Sequence, residues 1–239
     1  MMPLHPTIDP EIFTLRPDFA ALSLSFEGAL NAPSDSVSEA LLADAIAKLD
    51  ATPWAEAHLE AWREAYRAFG AKPKRTPCSA EALRKRAVKD GQMRPLNAVV
   101  DLYNAISLEF AIPVGGEDAT SYNGIPHLCR ATGSEAFHAV ADGQPTVETP
   151  DPGEVIWRDD TGVTCRRWNW RQGPRTQITE ATTEMWFVLE RLNPMPIEAL
   201  LRSGHALSIG LRRLSPGLGV SGLLFDADNP HGHSIAFPD

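Results

Sequence analysis

Two stretches of the chain carry side chains able to act on a ligand. In the first, Asn97, Asp101 and Asn104 stand at i, i+4 and i+7, so a helix would line them up as one polar ridge. The chain then runs on to Gly115, Gly116, Glu117 and Asp118. Amides and carboxylates so grouped can orient a water and accept its proton. Adjacent glycines let backbone N–H groups approach a developing oxyanion. In the second stretch, Thr164-Cys165-Arg166-Arg167-Trp168-Asn169-Trp170-Arg171, arginine and tryptophan interleave. Guanidinium groups hold phosphates, and indoles stack on unpaired bases. Structural uses compete with each reading: helix capping for Asn97, backbone bonding for Asp101, and a strand of inward tryptophans and outward arginines for 166–171. On such a strand one of the neighbours Arg166 and Arg167 would have to face inward.

Other motifs are formal only. Residues 217–222 match GxGxxG, but a helical pattern and Pro216 precede them and an apolar strand follows, the reverse of a dinucleotide site. Asp226, Asp228 and Asn229 begin like a calcium loop that Pro230 and His231 break. Cys78, Cys129 and Cys165 are far apart and odd in number, which argues against a disulfide framework or a zinc site. No cofactor is expected. No spacing nominates a nucleophilic triad.

Charge sharpens the second stretch. The net charge is −9 over 239 residues. Yet residues 72–94 carry +6 and residues 163–175 carry +4. Two basic segments on an acidic chain suit a local polyanion site, with solvated surface charge as the alternative. Candidate contacts are Arg63 and Arg67, four apart on one helix, then Lys72, Lys74 and Arg75, then 166–171. No apolar run is long enough to span a bilayer, and residues 1–13 lack a signal-peptide pattern. A soluble, cytoplasmic protein is expected.

The elements that must position these residues follow from periodicity. Leu22, Leu24 and Phe26 alternate with serines, predicting a half-buried strand. Helices are predicted over 38–49, 55–69, 80–89, 98–110 and 197–213, with Ser79 and Asn97 as N-caps and Gly70 and Gly91 as stops. Residues 113–118 read as a glycine-hinged loop. Short strands are predicted over 128–131, 154–158, 163–168, 185–192 and 220–225, with 159–162 as a hairpin turn. The Pro- and Gly-rich 143–153 is the best candidate for a sub-domain joint.

Three segments in this order resemble the B3/B4 domain of the bacterial phenylalanyl-tRNA synthetase beta subunit. The first is Arg94-Pro95-Leu96-Asn97-Ala98-Val99-Val100-Asp101-Leu102-Tyr103-Asn104 with Leu108-Glu109 and 113–118. The second is 155–160, and the third is Ile178-Thr179-Glu180-Ala181-Thr182 leading into Phe187-Val188-Leu189-Glu190. The resemblance implies an α+β fold with a β-rich core and peripheral helices. It implies a main domain over 55–192, with 1–54 and 193–239 packed onto it. In the synthetase this domain hydrolyses tRNA charged with tyrosine in place of phenylalanine. Its Pro-x-His-x-x-Asp histidine aligns with Gly115 here, so tyrosine does not carry over.

The implied function is a freestanding deacylase for misacylated tRNA. Asn97, Asp101, Asn104, Gly115, Gly116, Glu117 and Asp118 would be catalytic, and Thr164 and Thr182 would line the pocket. The basic residues, with Trp168, Asn169 and Trp170, would hold the acceptor end; no DNA or membrane partner is implied. The alternative is a module that binds tRNA or a small ligand without chemistry.

Overall fold

The computed structural model describes residues 4–141 and 143–237. In chain order its elements are β1 (Thr7–Ile8), α1 (Pro10–Leu15), β2 (Ala20–Glu27), α2 (Ser36–Ala47), α3 (Ala55–Ala68), α4 (Ser79–Asp90) and α5 (Ala98–Phe110). There follow β3 (Val114–Asp118), β4 (His127–Arg130), β5 (Phe137–Ala141), β6 (Gln144–Glu148), β7 (Val155–Arg158), β8 (Val163–Arg166) and β9 (Arg171–Gln172). The last are β10 (Glu184–Arg191), α6 (Ile197–Leu214), β11 (Val220–Phe225) and β12 (His233–Ile235). The fold is α+β, as expected.

Two five-stranded sheets carry it. One runs β1-β4-β7-β8-β9, the other β12-β11-β2-β10-β3, and β5 and β6 pair as a separate hairpin. Strand β10 shows how the layers arise. Met185, Phe187 and Leu189 point into a core shared with α5 and α6. Trp186 and Val188, on the other face, join a core with the first sheet and α3. A strand with apolar partners on both faces reads as a continuous hydrophobic run. The same position explains β2. It was expected to be half-buried, but Ser23 and Ser25 are buried too, because their face of the sheet packs onto the core with the first sheet and α3. Ser23 meets the cost of burial by accepting from the Trp186 indole at 2.9 Å.

Of the helix ends read from the sequence, one departs. Asn97 caps α5, its side chain accepting from the Val100 amide at 2.9 Å. Gly91 closes α4 in the left-handed region. Ser79 does not cap α4: Cys78 holds the N-cap position, and no side chain bonds there. Residues 113–118 are also not a loop. Val114–Asp118 form an edge strand on β10, with Gly115 opposite Val188 and Gly116 opposite Phe187. Within 143–153, Gln144–Glu148 is strand β6.

The Arg/Trp run departs most from expectation. Strand β8 stops at Arg166, and Arg167 and Trp168 take positive φ of 47° and 65°. Two consecutive left-handed residues break the alternation of a strand. The turn sends Arg166, Trp168 and Asn169 all inward. Trp168 is 0% exposed and meets Phe19 and Trp62 edge-on at 5.0 and 5.2 Å. Buried Glu154 holds the turn from beneath: it accepts from Arg166 at 2.9 and 2.7 Å and from the Arg167 amide at 3.0 Å.

One carboxylate ties the two sheets together. Glu190 of β10 is 1% exposed. Its Oε1 accepts from the Trp157 and Trp168 indoles, both at 3.1 Å, and its Oε2 accepts from the Asn169 amide at 2.9 Å. Asn169 accepts in turn from the Tyr66 hydroxyl of α3 at 2.9 Å. Burial outweighs these three neutral donors and pushes the Glu190 carboxyl from 4.5 up to about 7. The native chain therefore keeps a proton that the unfolded chain gives up, and this group's contribution to stability declines as pH rises from about 4.5 through about 7. Glu190→Gln keeps the shape, and an Asn169 flip restores the hydrogen bonds. Urea unfolding at pH 5 and pH 8 should show the wild type losing on the order of 2 kcal/mol relative to this variant. Parallel stability profiles would contradict the assignment.

Candidate functional site

Strands β3 and β10, the 165–172 segment and helices α4 and α5 enclose a pocket of about 230 Å³. Its inner wall is Trp157, Trp168, Val188, Glu190 and Glu117; Asn104, Gly115, Gly116, Trp170 and Gln172 line the rest, with Ser79 and Arg86 from α4. Arg86 is the exposed member and marks the mouth.

The ridge and the glycine segment divide at this pocket. Asn104 lines it, and its side chain has no hydrogen-bond partner among the described residues. Asn97 does not line it: besides capping α5 it accepts from Asn31 at 3.0 Å. Asp101 also lies outside. One oxygen accepts from the Leu96 amide at 2.9 Å and the other from the Ser34 hydroxyl, pinning the loop before α2 to α5. Asp118 likewise turns to scaffold work, accepting from Thr120 at 2.6 Å and from Thr182 at 2.9 Å. Thr182 is thereby a brace, and Thr164 is buried against the Tyr122 hydroxyl at 3.4 Å. Neither threonine is among the pocket walls.

The two glycines differ in what their amides can do. The Glu190 amide donates to the Pro113 carbonyl at 3.1 Å, which sets the phase of the β3–β10 ladder. By antiparallel alternation, Gly115 exchanges its bonds with Val188, whereas the Gly116 amide points away from β10, toward the edge where Gln177 bridges Glu117. The side chain of Gln172 reaches that edge, donating to the Gly116 carbonyl at 3.2 Å. A Cβ at Gly116 would come within 2.8 Å of both Phe187 and Tyr103, so glycine is required there.

Glu117 faces the pocket from β3. It accepts from the Tyr122 hydroxyl at 2.6 Å, and burial pushes its carboxyl up to about 6 against that bond. Glu190 lies on the same wall and was not singled out from the sequence. A carboxylate on the inward face of a buried strand, in phase with Trp186 and Val188, is the signal that marks it. Arg86, Gln172 and Ser79 lacked any such signal; only the packing of α4 and β9 brings them here.

The two basic segments have opposite fates. Arg166 pairs with Glu154 and Glu148 at 2.7 and 2.8 Å, Arg171 with Glu148 at 2.8 Å, and Arg175 with buried Asp159 at 2.7 Å. Arg167 stacks over Trp170 at 4.5 Å. Trp168 and Asn169 are core residues, leaving Trp170 as the partly exposed aromatic of the run. Arg63 is tied to Glu56, Glu60 and Glu81, and Arg67 to Glu60. By contrast, Lys72, Lys74, Arg75, Arg86, Lys89 and Arg94 have no ion-pair partner among the described residues.

One group among the described residues could hold a metal: Asp9, His127 and Cys129, with ligand atoms within 4.8 Å of one another. Asp9 and His127 already bond at 2.8 Å, and burial pushes the Cys129 thiol up to about 12, which disfavours the thiolate a metal needs. None of the three lines the pocket.

The chain is 29% identical over 126 residues to a phenylalanine–tRNA ligase beta subunit of Cutibacterium acnes, an alignment covering 53% of this chain and 14% of that protein. The chain thus spans about a seventh of the length of that relative. A solved N-terminal fragment of the phenylalanyl-tRNA synthetase beta subunit from Pyrococcus horikoshii overlays 98% of this chain and 54% of that one, at 12% identity and a TM-score of 0.47. The B3/4 domain family model matches residues 61–208, which takes in α4, α5, β3, β10 and every wall of the pocket. On that match the chain belongs to the B3/4 domain family.

Proposed function

We propose that this protein hydrolyses the ester of misacylated tRNA in trans. The observation that carries the reading is one pocket joining an unpartnered Asn104, the outward Gly116 amide and buried Glu117 beneath a mouth bearing Arg86. Its relative in Cutibacterium acnes is a tRNA ligase subunit, which makes a charged tRNA the natural candidate. An aminoacyl ester is already activated, so the site needs to place the carbonyl and one water rather than supply a strong nucleophile. Asn104 would orient the water, Glu117 would take its proton, and the Gly116 amide would face the oxyanion. Asp101, Asp118 and the Gly115 amide, also expected in this chemistry, are engaged by the scaffold instead. Those losses favour the second reading, a module that binds charged tRNA without cleaving it.

A panel of tRNAs carrying labelled correct and incorrect amino acids separates the readings. Release of label from a mischarged species with correct pairs spared is expected; salt-sensitive binding with no release would leave only the module. In the first case Asn104→Ala should lower the rate by about 100-fold or more with RNA binding intact. The wild-type rate should fall as pH drops through about 6, where Glu117 takes up its proton.

The unpaired cations also fix where RNA should sit. Changing Lys72, Lys74, Arg75 and Arg86 to glutamine should reduce the slope of log Kobs against log salt by up to about 3. Arg166→Ala should leave that slope alone and cost about 3–5 kcal/mol of stability, because it strands the buried Glu154 charge. An unaltered slope in the fourfold variant would move the RNA path elsewhere.

A further inference from the structure

Two carboxylates face one small, largely apolar pocket, and neither has a cation against it. Glu117 and Glu190 are both buried, and neither has an ion-pair partner among the described residues. The nearby guanidinium of Arg175 is spent on Asp159. The donors on Glu190 are all neutral N–H groups. They fill both acceptor directions of Oε1 but only one of those on Oε2, which leaves an acceptor position open. Around the carboxylates stand the indoles of Trp157, Trp168 and Trp170, whose faces attract cations. On the α4 wall the Ser79 hydroxyl is buried and has no hydrogen-bond partner among the described residues.

We infer that the pocket takes a side chain ending in a positively charged amine, lysine or ornithine in type, with Glu190 and Glu117 as its counter-charges. The inference rests on the aminoacyl-tRNA reading for its orientation. There the ester stays near the mouth, tethered to the RNA, so the far end of the side chain reaches the carboxylates on the inner wall. Every amino acid has an α-ammonium, so that group cannot discriminate among substrates; a second ammonium at the end of the side chain can. A neutral aliphatic chain of equal length would leave both carboxylates without a counter-charge, which is how a polar site rejects its isosteres.

Calorimetric titration of the whole protein with four amino-acid amides provides the test: L-lysinamide, L-ornithinamide, L-norleucinamide and L-tyrosinamide. All four keep the α-ammonium and differ only in the side chain. Lysinamide or ornithinamide should bind at least 10-fold more tightly than norleucinamide, and Glu190→Gln should erase most of that difference. Near-ultraviolet circular dichroism of the variant would show that the tryptophan cluster survives. Equal affinities, no affinity for any amide, or a preference for tyrosinamide overturns the inference. The same side chains presented on charged tRNA separate it from the reading beneath it. Hydrolysis of neutral aminoacyl-tRNAs without preference for the amine would refute the inference and keep the deacylase. Selective lysinamide binding with no hydrolysis of any charged tRNA would keep the inference and remove the deacylase.

Discussion

The carboxylate of Glu190 is the point on which the two sheets depend for their relation. It leaves β10 and receives donors from β7 and from the turn after β8, and through Asn169 it reaches α3. Hydrophobic contact brings sheets together without fixing their register, whereas three directed N–H bonds onto one anchor do fix it. The left-handed turn at Arg167 and Trp168 brings the Trp168 indole and the Asn169 amide to one acceptor. The pocket is the gap that remains beside the anchor, so its inner wall inherits the precision of the joint.

Charge serves two different purposes in the chain. Along 163–175 each arginine has a defined partner or a ring to lie on, and Glu148, Glu154 and Asp159 set their positions. There the ionic groups specify a backbone path that apolar packing alone would leave open. Along 72–94 most of the cations point to solvent from one helix and the loop before it, held by nothing in the described chain. That contrast makes α4 the electrostatic face of an otherwise acidic protein.

What the sequence made legible was what neighbours in sequence decide. The helix over 55–69, the Asn97 cap and the Gly91 stop are all local, and all stand in the structure. The order of three motifs disclosed the family for the same reason. Pro113-Val114-Gly115-Gly116 reads as a loop because proline and glycine are poor strand formers, yet pairing with β10 overrides that preference. The Arg/Trp run reads as a nucleic-acid contact or as a strand of inward tryptophans and outward arginines, because nothing local announces two left-handed residues. Of the site, Asn104, Gly116 and Glu117 were legible as polar groups near a glycine turn. Glu190 was not, because its role depends on Trp157 and Trp168, 33 and 22 residues away.

The glycine at 115 has a consequence for how this pocket can change over evolutionary time. A Cβ at that position would stand 3.2 Å from a methyl of Val188 on the facing strand, tighter than such contacts ordinarily run. Positions 115 and 188 are therefore a steric couple. A side chain acquired at 115 would ask the Val188 methyl to give by a few tenths of an ångström, and a smaller residue at 188 would remove that demand. The two positions are thus expected to change together, and the side chain open to a descendant at 115 depends on a methyl group of the facing pocket wall.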